Sequence, residues 1–386
     1  MKPITMYGAL VIGTASLLSL GVLPIILGGL NEVGRLSKPG IGQAAMFELF
    51  GLAFGSAVGG YWMARGAMRL KTAFAALGLL LINVATAHAG SEPIILVDRA
   101  IAGLLGGLLF GAANAIIVRS SNPDRLTGIL VGVSMLPQIA LAYLIPVVLI
   151  PRLGIEGGLY ALAAGAMVAA VFATSLVDKI NVPERLNRTP IPFSAPLALF
   201  CLGTVLQSGG LGAAWTYIER VANQHGFSPS IVGLAFSASL ATQVVAAWLS
   251  AWLVPKIARW PTLLSLVLGQ AAFIAVAVLT ATPSTFIAAV CVFTSAAAAA
   301  QAFQMAGVVA LDATRRAAVL ILPMILFGNG FGPLVASFAT TEVDVVGGCW
   351  TAVAMTTASL LLYLASASLS RQRSVPRVGA EPTLGG

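Results

Sequence analysis

Hydrophobic positions along this chain neither alternate nor fall into narrow amphipathic stripes; they run on. Twelve long, mainly apolar stretches occur, at about 5–30, 41–63, 72–90, 93–118, 127–150, 155–177, 195–219, 229–254, 261–281, 284–310, 317–339 and 346–369. About 20 such residues are what an α-helix needs to cross a hydrocarbon core about 30 Å thick. Continuous runs, unlike a two-residue alternation, argue against a transmembrane β-barrel. The pattern therefore predicts an all-α integral membrane protein with twelve transmembrane helices. The first run follows Lys2 and is too long for the apolar region of a signal peptide, so it is expected to be a retained span.

The polar segments between the runs orient them. If the chain starts in the cytoplasm, 16 of its 21 Lys and Arg residues fall on inner segments, while the outer loops hold Arg35, Lys38 and Arg152. The acids show no such bias, as the positive-inside rule expects. The chain is thus expected in the cell (inner) membrane, multi-pass, with both termini cytoplasmic. Its longest polar inner segment, 178–194, separates six spans (1–177) from six more (195–370), and 371–386 form a cytoplasmic tail. The two parts align at an offset of 190 residues: Pro39 with Pro229, Ile41 with Ile231, Trp62 with Trp252, Arg69 with Arg259, and Arg125 with Arg315. That register predicts two six-helix bundles in parallel pseudo-repeat.

Composition closes off other classes. Hydrophobic residues make up 58% of the chain and charged ones 9%, against about 25% charged in soluble proteins. A charged shell cannot be built from so few side chains, so lipid must be the solvent. The net charge of +8 comes from basic residues in ones, twos and threes, which is no nucleic-acid stripe. With three cysteines, two histidines and no HExxH or GxxxxGK[ST] motif, no metal, cofactor or ATP site is expected.

Three local patterns carry a family resemblance. Residues 59–71 read GGYWMARGAMRLK, in which Gly60, Arg65 and Arg69 fit a glycine–arginine loop motif and Ala64 replaces its acid. Span 4 follows Arg99 with Gly103, Gly106 and Gly107, and span 11 carries Gly328, Gly332 and Pro333. On these residues, and over nearly all its length, the chain resembles the major facilitator superfamily. The resemblance implies secondary transport by alternating access, a small-molecule substrate, a central site near the midplane and no enzyme activity. It also implies a gating role for the loop residues Gly60, Arg65 and Arg69, with Arg259 as the repeat mate of Arg69.

Charge inside a span is costly, so Arg99, Glu48 and Asp98 attract notice. Desolvation favours the neutral form of a carboxylate and a nearby cation its charged form, a tension suited to proton coupling. The other reading of Glu48 is a permanent ion pair with Arg99. Adjacent residues diverge by about 100° around a helix, so Glu219 and Arg220 are expected to part and end span 7 in water. Gly103, Gly107 and Gly111 form a stripe for close helix packing, with Gly332 and Pro333 in the same role on span 11. Among the amides within spans, Gln138, Gln207, Gln243 and Gln304 are the candidates to bind substrate, on helices that line the cavity in the resembled family. Trp215 and Tyr217 either join them or belong to the aromatic belt. The expected function is proton-coupled export (antiport) of a small amphipathic or aromatic organic compound by a monomer embedded in the bilayer. The alternative is proton-coupled uptake of a small organic anion with Arg99 as counter-ion.

The orientation makes a direct forecast. Cysteines placed at Pro39 and Gly226 should react with an impermeant thiol reagent applied to intact cells, whereas one at Asn187 should react only after permeabilisation. Labelling of Asn187 in intact cells would reverse the topology.

Overall fold

The computed structural model describes residues 3–120, 122–178, 194–312, 317 and 320–374. Most of the linker, Arg315 of the sequence repeat and the tail beyond 374 lie outside the described residues. The described chain is helical, with twelve helices long and apolar enough to cross a membrane: α1 Ile4–Glu32, α2 Lys38–Trp62, α3 Met68–His88, α4 Glu92–Ile117, α5 Arg125–Leu153, α6 Ile155–Ala173, α7 Ala195–Gln224, α8 Pro229–Leu253, α9 Arg259–Leu279, α10 Pro283–Leu311, α11 Ile321–Phe338 and α12 Val346–Ser370. Each answers one of the apolar runs, with ends displaced by a few residues.

Local chemistry sets the helix starts. Pro39 and Pro229 each sit in the first turn of α2 and α8, where a missing N–H costs nothing. The Ser37 hydroxyl caps α2 by accepting from the Gly40 N–H at 2.9 Å. Near the other ends of α2 and α8, Lys71 lies over the Trp62 ring (4.6 Å) and Lys256 over the Trp252 ring (3.1 Å). Arg69 and Arg259 stand in the first turns of α3 and α9. The repeat seen in sequence thus occupies matching places in the fold. One helix is discontinuous: α1 consists of Pro3–Ser16 and Leu18–Glu32, interrupted at Leu17 (φ −96°, ψ 0°). In α5 a five-residue π turn, Ile145–Leu149, surrounds Pro146, which cannot donate to the ordinary ladder.

Glycine lets certain helices touch backbone to backbone. On the α2–α4 seam a methyl group at Gly107 would lie 2.7 Å from the Ser56 nitrogen and 2.8 Å from the Gly55 Cα. Gly103 faces the Glu48 backbone and Gly111 the backbone of Ser56 and Gly60. On α11, Gly332 faces the backbone of Gly209 and Gly328 that of Val205, locking α11 to α7. Between the first six and last six helices the contacts run along α2–α11, α5–α8 and α1–α7.

The apolar core is continuous at one end of the molecule and divided at the other. At the end opposite the start of α1, called distal here, one cluster joins both halves through Leu27, Leu30, Ile41, Ala214, Ile218, Phe236 and Ala336. At the near end each half keeps its own cluster, around Ile12, Ile116 and Ala169 in the first and Phe200, Val267 and Phe303 in the second. The halves are sealed distally and parted at the near end.

The glycine seam predicts a position-specific cost. Gly107→Ala would push a methyl into backbone that no rotamer change can clear, costing about 1–3 kcal/mol. Gly269→Ala has open space around it and should be neutral or slightly stabilising in a helix. Thermal unfolding in detergent compares the two, and equal midpoints would show that the seam is not tight.

Candidate functional site

Three polar features stand out inside the spans. The first surrounds Arg99, which is fully buried with Glu48 beside it, at 1% and 4% side-chain exposure. Its Nη1 lies 3.6 Å from Glu48 Oε2, an ion pair beyond hydrogen-bond length. Arg99 Nη2 donates to Thr86 Oγ1 at 2.7 Å and Asn83 Oδ1 at 3.1 Å, and the Thr86 hydroxyl lies 3.2 Å from Asp98 Oδ2. Helices α2, α3 and α4 supply all five residues, so the cluster belongs to one half. Glu48 Oε2 and Arg99 Nε have no hydrogen-bond partner. Beside them is a cavity of ≈ 20 Å³, lined by Glu48, Asn83, Ser16, Ser19 and Leu20 among others. That is room for one water, which would complete the carboxylate's shell.

The second feature is a central cavity of ≈ 270 Å³ between the halves. Gln138, Gln243, Gln301 and Asn329 contribute amides from α5, α8, α10 and α11, and Ser134, Thr216 and Thr294 add hydroxyls. Trp215 forms a wall, its N–H already given to the Leu20 carbonyl (3.1 Å) and its ring against Phe236 at 4.7 Å. Leucines and Met135 complete a lining without a charged residue. Toward the near end a wider cavity of ≈ 690 Å³ opens between α2, α4 and α11, lined by Phe50, Phe54, Phe110, Phe327, Gly60, Asn114 and Arg119. On the near side of the central cavity, the Phe50 and Phe327 rings stack at 5.3 Å across the halves, while Leu49 lines the central cavity and Leu326 lines both.

The third feature lies at the distal seal. Arg220 binds Glu219 through two contacts of 2.5 Å, Nε to Oε2 and Nη2 to Oε1, and Nη2 also reaches Glu32 Oε1 of α1 at 3.0 Å. Asn223 Nδ2 donates to the same two carboxylate oxygens, Glu219 Oε1 (2.8 Å) and Glu32 Oε1 (3.0 Å). Glu219 and Arg220 are both 7% exposed, which corrects the expectation of a solvated helix end. Neighbours on a helix do diverge at Cβ, but the long Arg220 stem folds back until its guanidinium meets the carboxylate. Gly28 on α1 makes the room; a methyl there would lie 2.8 Å from Arg220 Nη2.

The structure divides the residues singled out in the sequence. Glu48, Asp98 and Arg99 come together, with Asn83 and Thr86 as unforeseen partners. Gln138, Gln243 and Trp215 line the central cavity. Gln207 and Gln304 do not; they form a closed network within the second half, where Gln304 Nε2 donates to Gln207 Oε1 (2.9 Å) and Tyr363 OH (2.9 Å). Tyr217 also lies outside the cavity lining, its hydroxyl accepting from the Gly42 N–H at 3.1 Å in the distal seal. Arg69 binds the Leu176 carbonyl and lies 3.8 Å from Asp178, at the end of α6 in its own half. Arg259 binds the Ala306 carbonyl at 2.8 Å, again within its half. Arg65 is exposed and covers the Tyr61 ring at 3.6 Å. Gln301 and Asn329 were passed over because spacing along a helix does not reveal which face meets the other half.

No family model matches the sequence, and no curated protein matches it closely enough to count as a relative. Solved structures resemble its fold closely. A mutant of the nucleoside transporter NupG superposes with a TM-score of 0.77 at 12% identity, over 95% of this chain and 99% of that one. A bacterial homologue of the human lysosomal transporter Spinster, inward-facing and unoccupied, gives 0.71 at 16% identity, over 97% and 100%. A D-xylose–proton symporter gives 0.68 at 18%, over 93% and 95%. These are transporters of the major facilitator type, and the chain has the major facilitator fold.

Glu48 and Arg99 have opposite forecasts under coupling and static pairing. If the pair is only structural, Glu48→Gln strands a buried guanidinium and lowers stability by about 3–5 kcal/mol, while Glu48→Gln/Arg99→Gln recovers both stability and transport. If Glu48 carries a proton, the single variant binds cargo but loses gradient-driven flux, and the double variant stays inactive. Thermal stability and proton-driven flux of all four proteins in proteoliposomes decide between them.

Proposed function

We propose that this chain is a proton-coupled secondary transporter that exports a small, uncharged amphipathic or aromatic solute. The observation that carries the reading is the central cavity. It lies where the two halves meet, draws its lining from both, and offers amides, hydroxyls and a tryptophan face without a formal charge. Such a lining suits a cargo with an apolar body and a few hydrogen-bonding edges, because an unmatched ion there would be desolvated without a partner. Uptake of an organic anion draws no support from it: Arg99 is buried within one half and held by Thr86, Asn83 and Glu48.

Alternating access supplies the mechanism. With the termini in the cytoplasm, this conformation is inward-facing, and the phenylalanine-lined vestibule admits an amphipathic solute from the cytoplasmic side. The six-helix units 1–177 and 195–370 are the bodies that rock about the central cavity. Protons are the proposed driving ion, a reading supported by the similarity to a D-xylose–proton symporter and by Glu48, whose unpartnered oxygen borders the water-sized cavity. Leu20 lines both that cavity and the central one. Nothing in the fold calls for a second subunit, and the monomer is taken as the working unit.

Vesicles with an acidic lumen test direction and charge together. A panel of uncharged aromatic solutes should include members that accumulate in the lumen as protons leave, and aromatic carboxylates should not. Trp215→Ala or Gln243→Ala should weaken binding about tenfold, the loss of about 1.4 kcal/mol. Accumulation only in alkaline vesicles would replace export with symport, and carboxylate transport unaffected by Gln243→Ala would remove the neutral-cargo assignment.

A further inference from the structure

A proton can drive alternation only if its binding site differs between the two states. The Glu48–Arg99 cluster is made by α2, α3 and α4 of one half, so rocking the halves leaves its own contacts in place and can alter it only through the small cavity that α1 helps to line. The distal cluster is different. Glu32 belongs to α1 in the first half, and Glu219, Arg220 and Asn223 to α7 in the second. Separation of the halves at the distal face must break it.

Its geometry brings two carboxylates to one place. Arg220 Nη2 and Asn223 Nδ2 each donate to Glu219 Oε1 and to Glu32 Oε1. The two acid oxygens therefore sit on the same pair of donors, facing each other across the seam. One guanidinium serves two carboxylates, and Glu219 already takes two of its N–H groups. Two carboxylates held on the same donors repel each other, and one proton shared between them relieves that repulsion. At this end the other charged or titratable groups on adjoining elements are Arg35 after α1, paired with Glu156 of α6 at 2.7 Å, Lys38 at the start of α2, His88 at the end of α3, Glu92 at the start of α4, Arg152 near the end of α5, His225 after α7, and Glu342 and Asp344 between α11 and α12.

We propose that Glu32 and Glu219 form a proton-sharing carboxylate pair between the halves, occupied by one proton when the distal face is closed and empty when it opens. The proposal rests on the alternating-access reading but not on the identity of the cargo or on Glu48. In the open state Arg220 stays with Glu219 on α7 as a neutral pair, and Glu32, already 54% exposed, returns to water as a carboxylate. The closed state thus binds one proton more than the open state. By linkage, acid favours closure of the distal face and alkali favours its opening. The ratio of open to closed molecules should rise by up to tenfold per pH unit across the titration.

The test follows distance rather than transport. Spin labels at Val33 and Val343, exposed on the distal loops of the two halves, report opening in full-length protein in nanodiscs, with no cargo and no gradient. In wild type the long-distance population should grow as pH rises. Glu32→Gln removes one carboxylate from a half-exposed position, so it should fold normally, stay mostly closed and lose the pH dependence. Glu32→Asp should restore it. The proposal is overturned if the wild-type distances ignore pH, or if Glu32→Gln follows the wild-type curve, which would point to His225 or another group. A protein that opens with pH as described yet moves no solute in vesicles would lose the transport reading and keep the proton pair.

Discussion

Inside a hydrocarbon core a charged group must find its solvation within the protein, and this chain meets that demand in two ways. Arg99 is solvated by its own half, through Thr86, Asn83 and Glu48 on neighbouring helices. Arg220 is solvated partly by its own helix and partly by Glu32 of the other half. The first arrangement leaves every charge contact within one half. The second places a cost on parting the halves at the distal face, since the contacts between Glu32 and its partners must be exchanged for water.

The helix seams show the same division between what is fixed and what can move. Within each half, α2 against α4 and α7 against α11 approach through glycine until backbones touch, and such contacts have no slack. Across the halves one such contact recurs, Gly42 of α2 against the Pro333 carbonyl of α11, and others are of another kind. The Trp215 indole reaches the Leu20 carbonyl, Ser237 reaches the Ile139 carbonyl at 2.8 Å, and the Phe50 ring stacks on Phe327. Single hydrogen bonds and ring contacts of this sort contribute about 1 kcal/mol each and can be remade after a rotation. On the proposed alternating-access reading, the distal core shared by both halves is what has to open, and the near end, with its two separate cores, shows what an open side looks like.

Much of this was legible in the amino-acid order. Twelve apolar runs gave twelve helices because lipid imposes one length on every span. The 190-residue register placed Pro39 with Pro229 and Trp62 with Trp252 at matching points of the fold. Glu48 and Arg99 were readable as partners because charge within a span must be answered. The amides were not separable in this way. Gln207 and Gln138 look alike in sequence, yet one is held inside the second half and the other lines the cavity, since every face of these helices is apolar enough to meet protein or lipid. Glu219 and Arg220 escaped because the 100° rule describes Cβ directions, while an arginine with four rotatable bonds reaches well beyond them.

A neutral cavity with its carboxylates elsewhere has a mechanical consequence. If the cavity takes cargo and the carboxylates take the proton, as proposed, the two do not compete for the same atoms, and coupling between them must pass through an element that both contact and that has two positions. The second segment of α1, Leu18–Glu32, is the element that touches all three sites. It joins the first segment at the break at Leu17. Its Leu20 and Gly21 line the central cavity, and its Ser19 borders the small cavity beside Glu48. Its Gly28 packs under the Glu219–Arg220 pair, and its last residue is Glu32 itself. A shift of this half-helix on cargo binding would be felt at both acidic sites at once, and a proton gained or lost at either would alter the shape presented to the cargo.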